Sequence, residues 1–360
     1  MNTPKEYNLK DVLSKFNIDT KTQLYGSGNI NDTYLCKDCG FILQRINTEV
    51  FKNPDDVMEN IYNVTHHIAE KIEKNGGNVL RETLNLIPTK TGEIYYKTKA
   101  GDCFRMYKLV EDTVSYDIAQ NPETLTSAGR AFGKFQRLLS DFPAKKLHET
   151  IVNFHNTPVR VIQLEDAIKK DLSHRIAQAG EEIAFAREYG KYANVITDAI
   201  KSGEVPVRVT HNDTKLNNVL FDKKSGEGIC VIDLDTVMPG SLLYDFGDAM
   251  RCGASNCEED ETDTDKIWFD LEKFAAFAQG FLEEVGSCLT KKEIELLPVS
   301  VLVIAFELGT RFLADYLNGD TYFKTHSENH NLDRARNQFI LARDIENKLS
   351  QMNEIVKKYV

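Results

Sequence analysis

The chain has 360 residues, enough for two lobes that each bury a core. Its 55 acidic residues outnumber 44 basic ones, for a formal net charge of −11, and the basic residues form no block or stripe. That disfavours nucleic acid or an anionic membrane surface as partner. No apolar run is read as a spanning helix, the first ten residues resemble neither a signal nor a transit peptide, and the seven cysteines are scattered. A cytoplasmic location with reduced thiols is the expectation.

The first hundred or so residues read as β-rich with one helix. A short strand at 23–25 leads into Gly26-Ser27-Gly28, and strands at 31–35 and 41–46 follow. Cys36 and Cys39 flank Lys37 and Asp38 as a hairpin turn; with no matching pair nearby, zinc is not expected. Val57, Ile61, Val64, Ile68 and Ile72 place a helix over 54–74. Strands near 84–88, 93–98 and 103–110 complete a five-stranded pattern. Glu111-Asp112-Thr113 is the natural hinge, dividing a nucleotide-binding lobe, 1–112, from a catalytic and acceptor-binding lobe, 113–360.

Beyond the hinge the chain reads as mostly helical. Leu125, Ala128, Phe132, Phe135, Leu139 and Phe142 form a buried helical stripe, on which Gly129 and Gly133 suggest close backbone packing. Residues 160–202 read as an inserted pair of helices broken near Gly180, and two long helices are expected over 291–317 and 331–357.

The chemistry is concentrated in His211-Asn212-Asp213-Thr214-Lys215-Leu216-Asn217-Asn218, followed by Ile232-Asp233-Leu234-Asp235. Phosphoryl transfer spreads charge over oxygens, so the protein must position the nucleophile and hold a metal against the phosphates. An H-x-D-x-x-x-x-N loop supplies an acid for the acceptor hydroxyl, Asp213, and an amide for the metal, Asn218. A hairpin, 219–221 and 229–232, would return the second metal ligand, Asp233, beside Asn218. Lys215 is placed to face the transferred phosphate. Asp245-Phe246-Gly247 also spells a metal-binding string of kinases, but it lies beyond the turn at Met238-Pro239-Gly240. Asp245 and Asp248 are therefore read as bracing carboxylates, with a direct metal role for Asp245 as the lesser option.

These strings resemble the aminoglycoside phosphotransferase and choline kinase superfamily, relatives of protein kinases. The longer strings, among them Met238-Pro239-Gly240-Ser241, Asp245-Phe246-Gly247-Asp248 and 311–317, are similar to the N-acetylhexosamine 1-kinases within it. The resemblance implies an α+β, bilobal protein-kinase-like fold, β-rich in its N-terminal lobe and mainly helical in its C-terminal lobe. It also implies ATP and Mg²⁺ as co-substrate and cofactor, and a small sugar phosphorylated at its anomeric hydroxyl. The kinase likeness places the triphosphate at Gly26, Gly28, Asn31 and Thr33. Adenine falls at the main chain of Lys108, Val110 and Asp112, and Gln44 where protein kinases carry a phosphate-binding lysine. It further implies that Asn29, Arg311 and Tyr322 contact the sugar with Asp213; for Arg311, an ion pair with Glu307 one turn earlier is the alternative. The acidic run 258–265 reads as a solvated loop, or else as an attractor for a cationic acceptor. The alternative functions are a kinase of another small alcohol (an aminoglycoside, choline or homoserine) and a non-catalytic nucleotide-binding protein.

Overall fold

A computed structural model describes residues 7–26 and 30–360; Gly28 and Asn29 lie outside the described residues. After helix α1 (Leu9–Lys15), strands β1 (Gln23–Leu24), β2 (Asp32–Cys36) and β3 (Phe41–Ile46) run as an antiparallel meander. Helix α2 (Pro54–Lys74) opens with Pro at its first turn, and buries Val57, Ile61, Val64, Ile68 and Ile72. The short helix α3 (Val79–Glu82) follows, then β4 (Tyr96–Lys97) and β5 (Cys103–Lys108), giving a five-stranded sheet in the order β1-β2-β3-β5-β4. The two expected strands at 84–88 and 93–98 shrink to a single bridge, Leu86 to Tyr107, and to two-residue β4. Asn85 explains the first: its side-chain amide donates to the Val79 and Thr83 carbonyls, bending the chain onto α3.

Pleating separates the sheet's faces. Leu43, Phe104 and Met106 pack with Val12, Leu13 and Phe16 of α1 in a small core. Ile46, Cys103 and Tyr107 face the large core shared with the rest of the chain. On this second face Thr33, Gln44 and Arg105 pair across β2, β3 and β5, forming one row.

Strand β6 (Thr113–Val114) follows the hinge and joins β8 (Val219–Asp222) and β9 (Gly228–Val231) in a three-stranded sheet. Helix α4 (Pro122–Leu138) is capped by Asn121. The segment read as two inserted helices contains three, α5 (Thr157–Lys170), α6 (Gly180–Tyr189) and α7 (Val195–Lys201); Asp171 in a left-handed conformation ends α5, well before Gly180. Strand β7 (Arg208–Thr210) pairs with β10 (Met238–Gly240), and α8 (Leu242–Gly253), α9 (Leu271–Val285), α10 (Lys291–Leu317) and α11 (His330–Lys357) complete the chain.

The helical region is built on close approaches. A Cβ at Gly129 would lie 2.3 Å from the Phe277 carbonyl oxygen, and one at Gly280 1.9 Å from that of Thr126, so α4 and α9 cross with their backbones in contact. The close packing expected of Gly129 is present. Helix α10 is long and apolar enough to cross a membrane, contrary to the expectation that no run has that length, because its charges cluster in the first turns, Lys291 to Glu295. Its apolar window is 83% buried against neighbouring helices, the signature of a core helix.

Candidate active site

The catalytic segment begins where β7 ends. Asn212, with φ 67°, turns the chain out of the strand. His211 is fully buried, edge-on to Phe132 and Phe135. Its Nε2 lies 2.9 Å from the Ile232 carbonyl, and its Nδ1 accepts the Asp213 N–H at 3.2 Å. This pairing places the proton on Nε2 and ties the catalytic loop to the segment bearing Asp233.

Two acids of α8 hold the loop from beneath. Asp245 accepts the main-chain N–H groups of His211 (2.9 Å) and Asn212 (2.8 Å) and the Gln136 amide (2.6 Å). Asp248 accepts the Thr214 N–H at 3.1 Å, and the Thr214 hydroxyl donates to the Asp245 carbonyl at 2.6 Å. Burial raises the Asp245 carboxyl above its ordinary range. Burial works the same way on Asp248, but the charges of Arg251, Lys215 and His155 reverse it and hold that carboxyl below. With its oxygens committed to the loop, Asp245 is a brace in this geometry.

Above the brace the predicted catalytic residues come together. Asp213 Oδ1 is 2.9 Å from Lys215 Nζ, and the Asn218 amide donates to the Asp213 carbonyl (2.8 Å) and to Oδ2 (3.2 Å). Burial opposes the Lys215 charge, and Asp213 more than restores it. Asp233 leaves β9 with φ 58°, a strained conformation for a non-glycine residue. It is exposed yet ringed by protein atoms, as a carboxylate on a cleft wall would be. That crowding, then the charges of Asp235 and Asp213, push its carboxyl upward. Asp233 and Asn218 thus offer oxygen donors beside Asp213, a hard-ligand set that fits Mg²⁺.

The predicted nucleotide residues are partly committed already. Gly26 has φ 79° with open space around it, as a loop approaching a ligand requires. The Asn31 amide donates to Asp235 (2.6 Å), and its carbonyl oxygen accepts the Asn47 N–H (3.0 Å). Thr33 accepts from Gln44 at 3.0 Å, and Gln44 Oε1 accepts from Arg105 Nε (3.0 Å) and Nη2 (2.8 Å). At the hinge, the Lys108 N–H donates to Asn85, the Val110 carbonyl accepts the Thr113 hydroxyl, and the Asp112 carbonyl accepts from Lys223. Adenine recognition there would fall to the main-chain groups these bonds leave over.

On the acceptor side, Glu307 does not pair directly with Arg311. Its oxygens are held by His155 Nδ1 (2.9 Å) and the Thr157 hydroxyl (2.7 Å), while the Arg311 guanidinium lies 5.9 Å from the rings of Phe154 and Tyr322 and 5.5 Å from Phe323. Tyr322 is 70% exposed, and its N–H is fixed by Asp315 at 2.9 Å. His155 stacks on Tyr244 of α8, the helix that carries Asp245 and Asp248, so this cluster adjoins the braced loop. The acidic run departs from a solvated loop at Glu259, which is buried against Arg251 and Arg334.

Sequence reading missed Arg105 and His155 as site residues. A lone charge inside Cys103-Phe104-Arg105-Met106-Tyr107 was the available signal for the first; nothing local marked the second.

A β-sheet region packed on a helical region, with acid, lysine, amide and acid converging between them, defines a kinase-like phosphotransferase. Residues 21–279 match the phosphotransferase enzyme family (APH), and the chain belongs to that family. Solved structures agree in fold at low identity. A microcompartment-associated aminopropanol kinase is similar with TM-score 0.63 and 13% identity, covering 96% of this chain and 98% of its own. A spectinomycin phosphotransferase in complex with ADP and spectinomycin has TM-score 0.60 and 12% identity over 97% and 100%. A choline/ethanolamine kinase family protein from Mesorhizobium loti has TM-score 0.51 and 14% identity over 94% and 92%.

Proposed function

We propose that the protein transfers the γ-phosphoryl group of ATP to the anomeric hydroxyl of an N-acetylhexosamine. Asp213 accepts the hydroxyl proton, and Lys215, freed from Asp213 as that proton arrives, faces the transferred phosphate. Asn218 and Asp233 would hold Mg²⁺, which supplies charge neutralisation at the phosphates. Gly26 and the following loop close over the nucleotide, whose adenine lies at the hinge.

The observation that carries the acceptor reading is the charge beside the catalytic loop. Arg311 and Arg160 stand close enough that each opposes the other's charge, among the rings of Phe154, Tyr322 and Phe323. The nearby acids are already satisfied: Glu307 by His155 and Thr157, Glu259 by Arg251 and Arg334. Fixed guanidinium groups between aromatic faces suit a neutral, hydroxyl-rich ring with an acetamido oxygen, and repel a polycationic aminoglycoside or choline.

ATP consumption measured over N-acetylglucosamine, N-acetylgalactosamine, glucose, kanamycin, choline and homoserine tests this reading. Turnover should be confined to the N-acetylated sugars, with glucose poor. Preference for choline or kanamycin would favour the other small-alcohol reading, and nucleotide binding without turnover on any acceptor would favour a non-catalytic protein.

A further inference from the structure

The sheet face above the metal-site acids carries Gln44, a neutral amide, at the place where a kinase needs a cation. One row partner away lies Arg105, 1% exposed. Gln44 holds its guanidinium from one side, accepting from Nε at 3.0 Å and Nη2 at 2.8 Å. On the other side Nη1 forms an ion pair with Asp235, two residues beyond Asp233, and the Tyr107 ring lies 5.3 Å below. Asp235 is also the acceptor for Asn31, so the sheet and the glycine loop both close onto this one acid.

A buried ion pair is a poor way to stabilise a fold, since apolar residues of similar volume serve as well without the desolvation cost. A buried Arg–Asp pair at the border between sheet and catalytic segment calls for a use of the charge. Resting on the nucleotide-kinase reading, we propose that Arg105 is the fixed cation of the phosphate subsite, taking from β5 the role that Gln44 cannot perform on β3. In the nucleotide-free protein Arg105 is parked on Asp235. When the nucleotide and its metal enter, Asp235 is drawn toward the metal side and an Nη group of Arg105 turns to a phosphate oxygen, while Gln44 keeps the guanidinium plane in register. No covalent bond changes; the exchange is one ion pair for another.

The test is equilibrium binding of ATP, ADP and adenosine, with Mg²⁺, to the full chain and two variants. Wild type should bind ATP and ADP much more tightly than adenosine. Arg105→Gln should weaken ATP and ADP by about tenfold or more, the worth of one charge-assisted contact, and leave adenosine within about twofold. Adding Gln44→Lys to Arg105→Gln returns a cation to the same row and should restore most of the lost preference, a rescue that a purely structural arginine does not predict. If Arg105→Gln does not fold, the double variant decides alone. An unchanged ATP-to-adenosine ratio in Arg105→Gln, equal losses for ATP and adenosine, or a double variant no better than adenosine-selective overturns the proposal. A wild-type chain that binds ATP no better than adenosine overturns the nucleotide reading itself.

Discussion

Asp213 carries the reaction in this account, and its surroundings say how. Lys215 and Asn218 fix both carboxylate oxygens, so Asp213→Asn keeps the shape and loses the base. Turnover should fall by about 10²- to 10⁴-fold with nucleotide affinity nearly unchanged, read from kcat and ATP titration; near-normal kcat would remove Asp213 from the mechanism. Asp233 and Asp245 should separate cleanly. Asp233→Ala should abolish Mg²⁺-dependent ATP binding in calorimetry. Asp245→Ala strands two loop N–H groups and the Gln136 amide, and should mainly lower the unfolding midpoint, at about 1–3 kcal/mol for each buried group left unsatisfied. The reverse pattern would exchange their roles. Because burial and two neighbouring acids raise the Asp233 carboxyl, protons compete with metal there at higher pH than at an ordinary carboxylate. Affinity for Mg²⁺–ADP should therefore drop as pH falls from about 7.5 to about 5.5, whereas metal-free ADP binding should not follow that curve.

The motif spacing made Asp213, Lys215, Asn218 and Asp233 legible, because one loop and one hairpin bring them together and both are local. Arg105 was not legible as a site residue: its meaning depends on a partner 130 positions away, and only the strand register shows that it shares a row with Gln44. Glu259 is similar, since an acidic run looks solvated until Arg251 and Arg334 are placed against it.

At the scale of elements, the long periodic helices were readable and the short strands were not. The stripe on α2 specifies a buried face over six turns, whereas β4 has two residues and is defined by its neighbour β5. The crossing of α4 and α9 is the element contact most sensitive to a single atom. Gly280→Ala puts a methyl group on the Thr126 carbonyl, with no flexible side chain to move aside. The helices must separate, and urea denaturation should show a loss of about 1–3 kcal/mol or more. An unchanged midpoint would mean that the pair is not in backbone contact.

For the whole molecule, the family fixes the reaction class and the low-identity structural neighbours fix the fold, but acceptor choice belongs to a cluster drawn from separate segments. His155, Arg160, Glu307, Arg311 and Tyr322 come from a loop, two helices and another loop, so no spacing rule joins them. Arg311→Ala should raise KM for the sugar far more than KM for ATP, since the residue lies among Phe154, Tyr322 and Phe323, apart from the row that faces the nucleotide. Equal rises in both would make Arg311 a structural residue.

The most direct measurement is NMR of the product formed from N-acetylglucosamine, ATP and Mg²⁺ by the purified protein. The account predicts a single phosphorylated sugar with phosphorus coupled to the proton on C1. Phosphate on C6, or no sugar phosphate while choline or an aminoglycoside is phosphorylated under the same conditions, would contradict it.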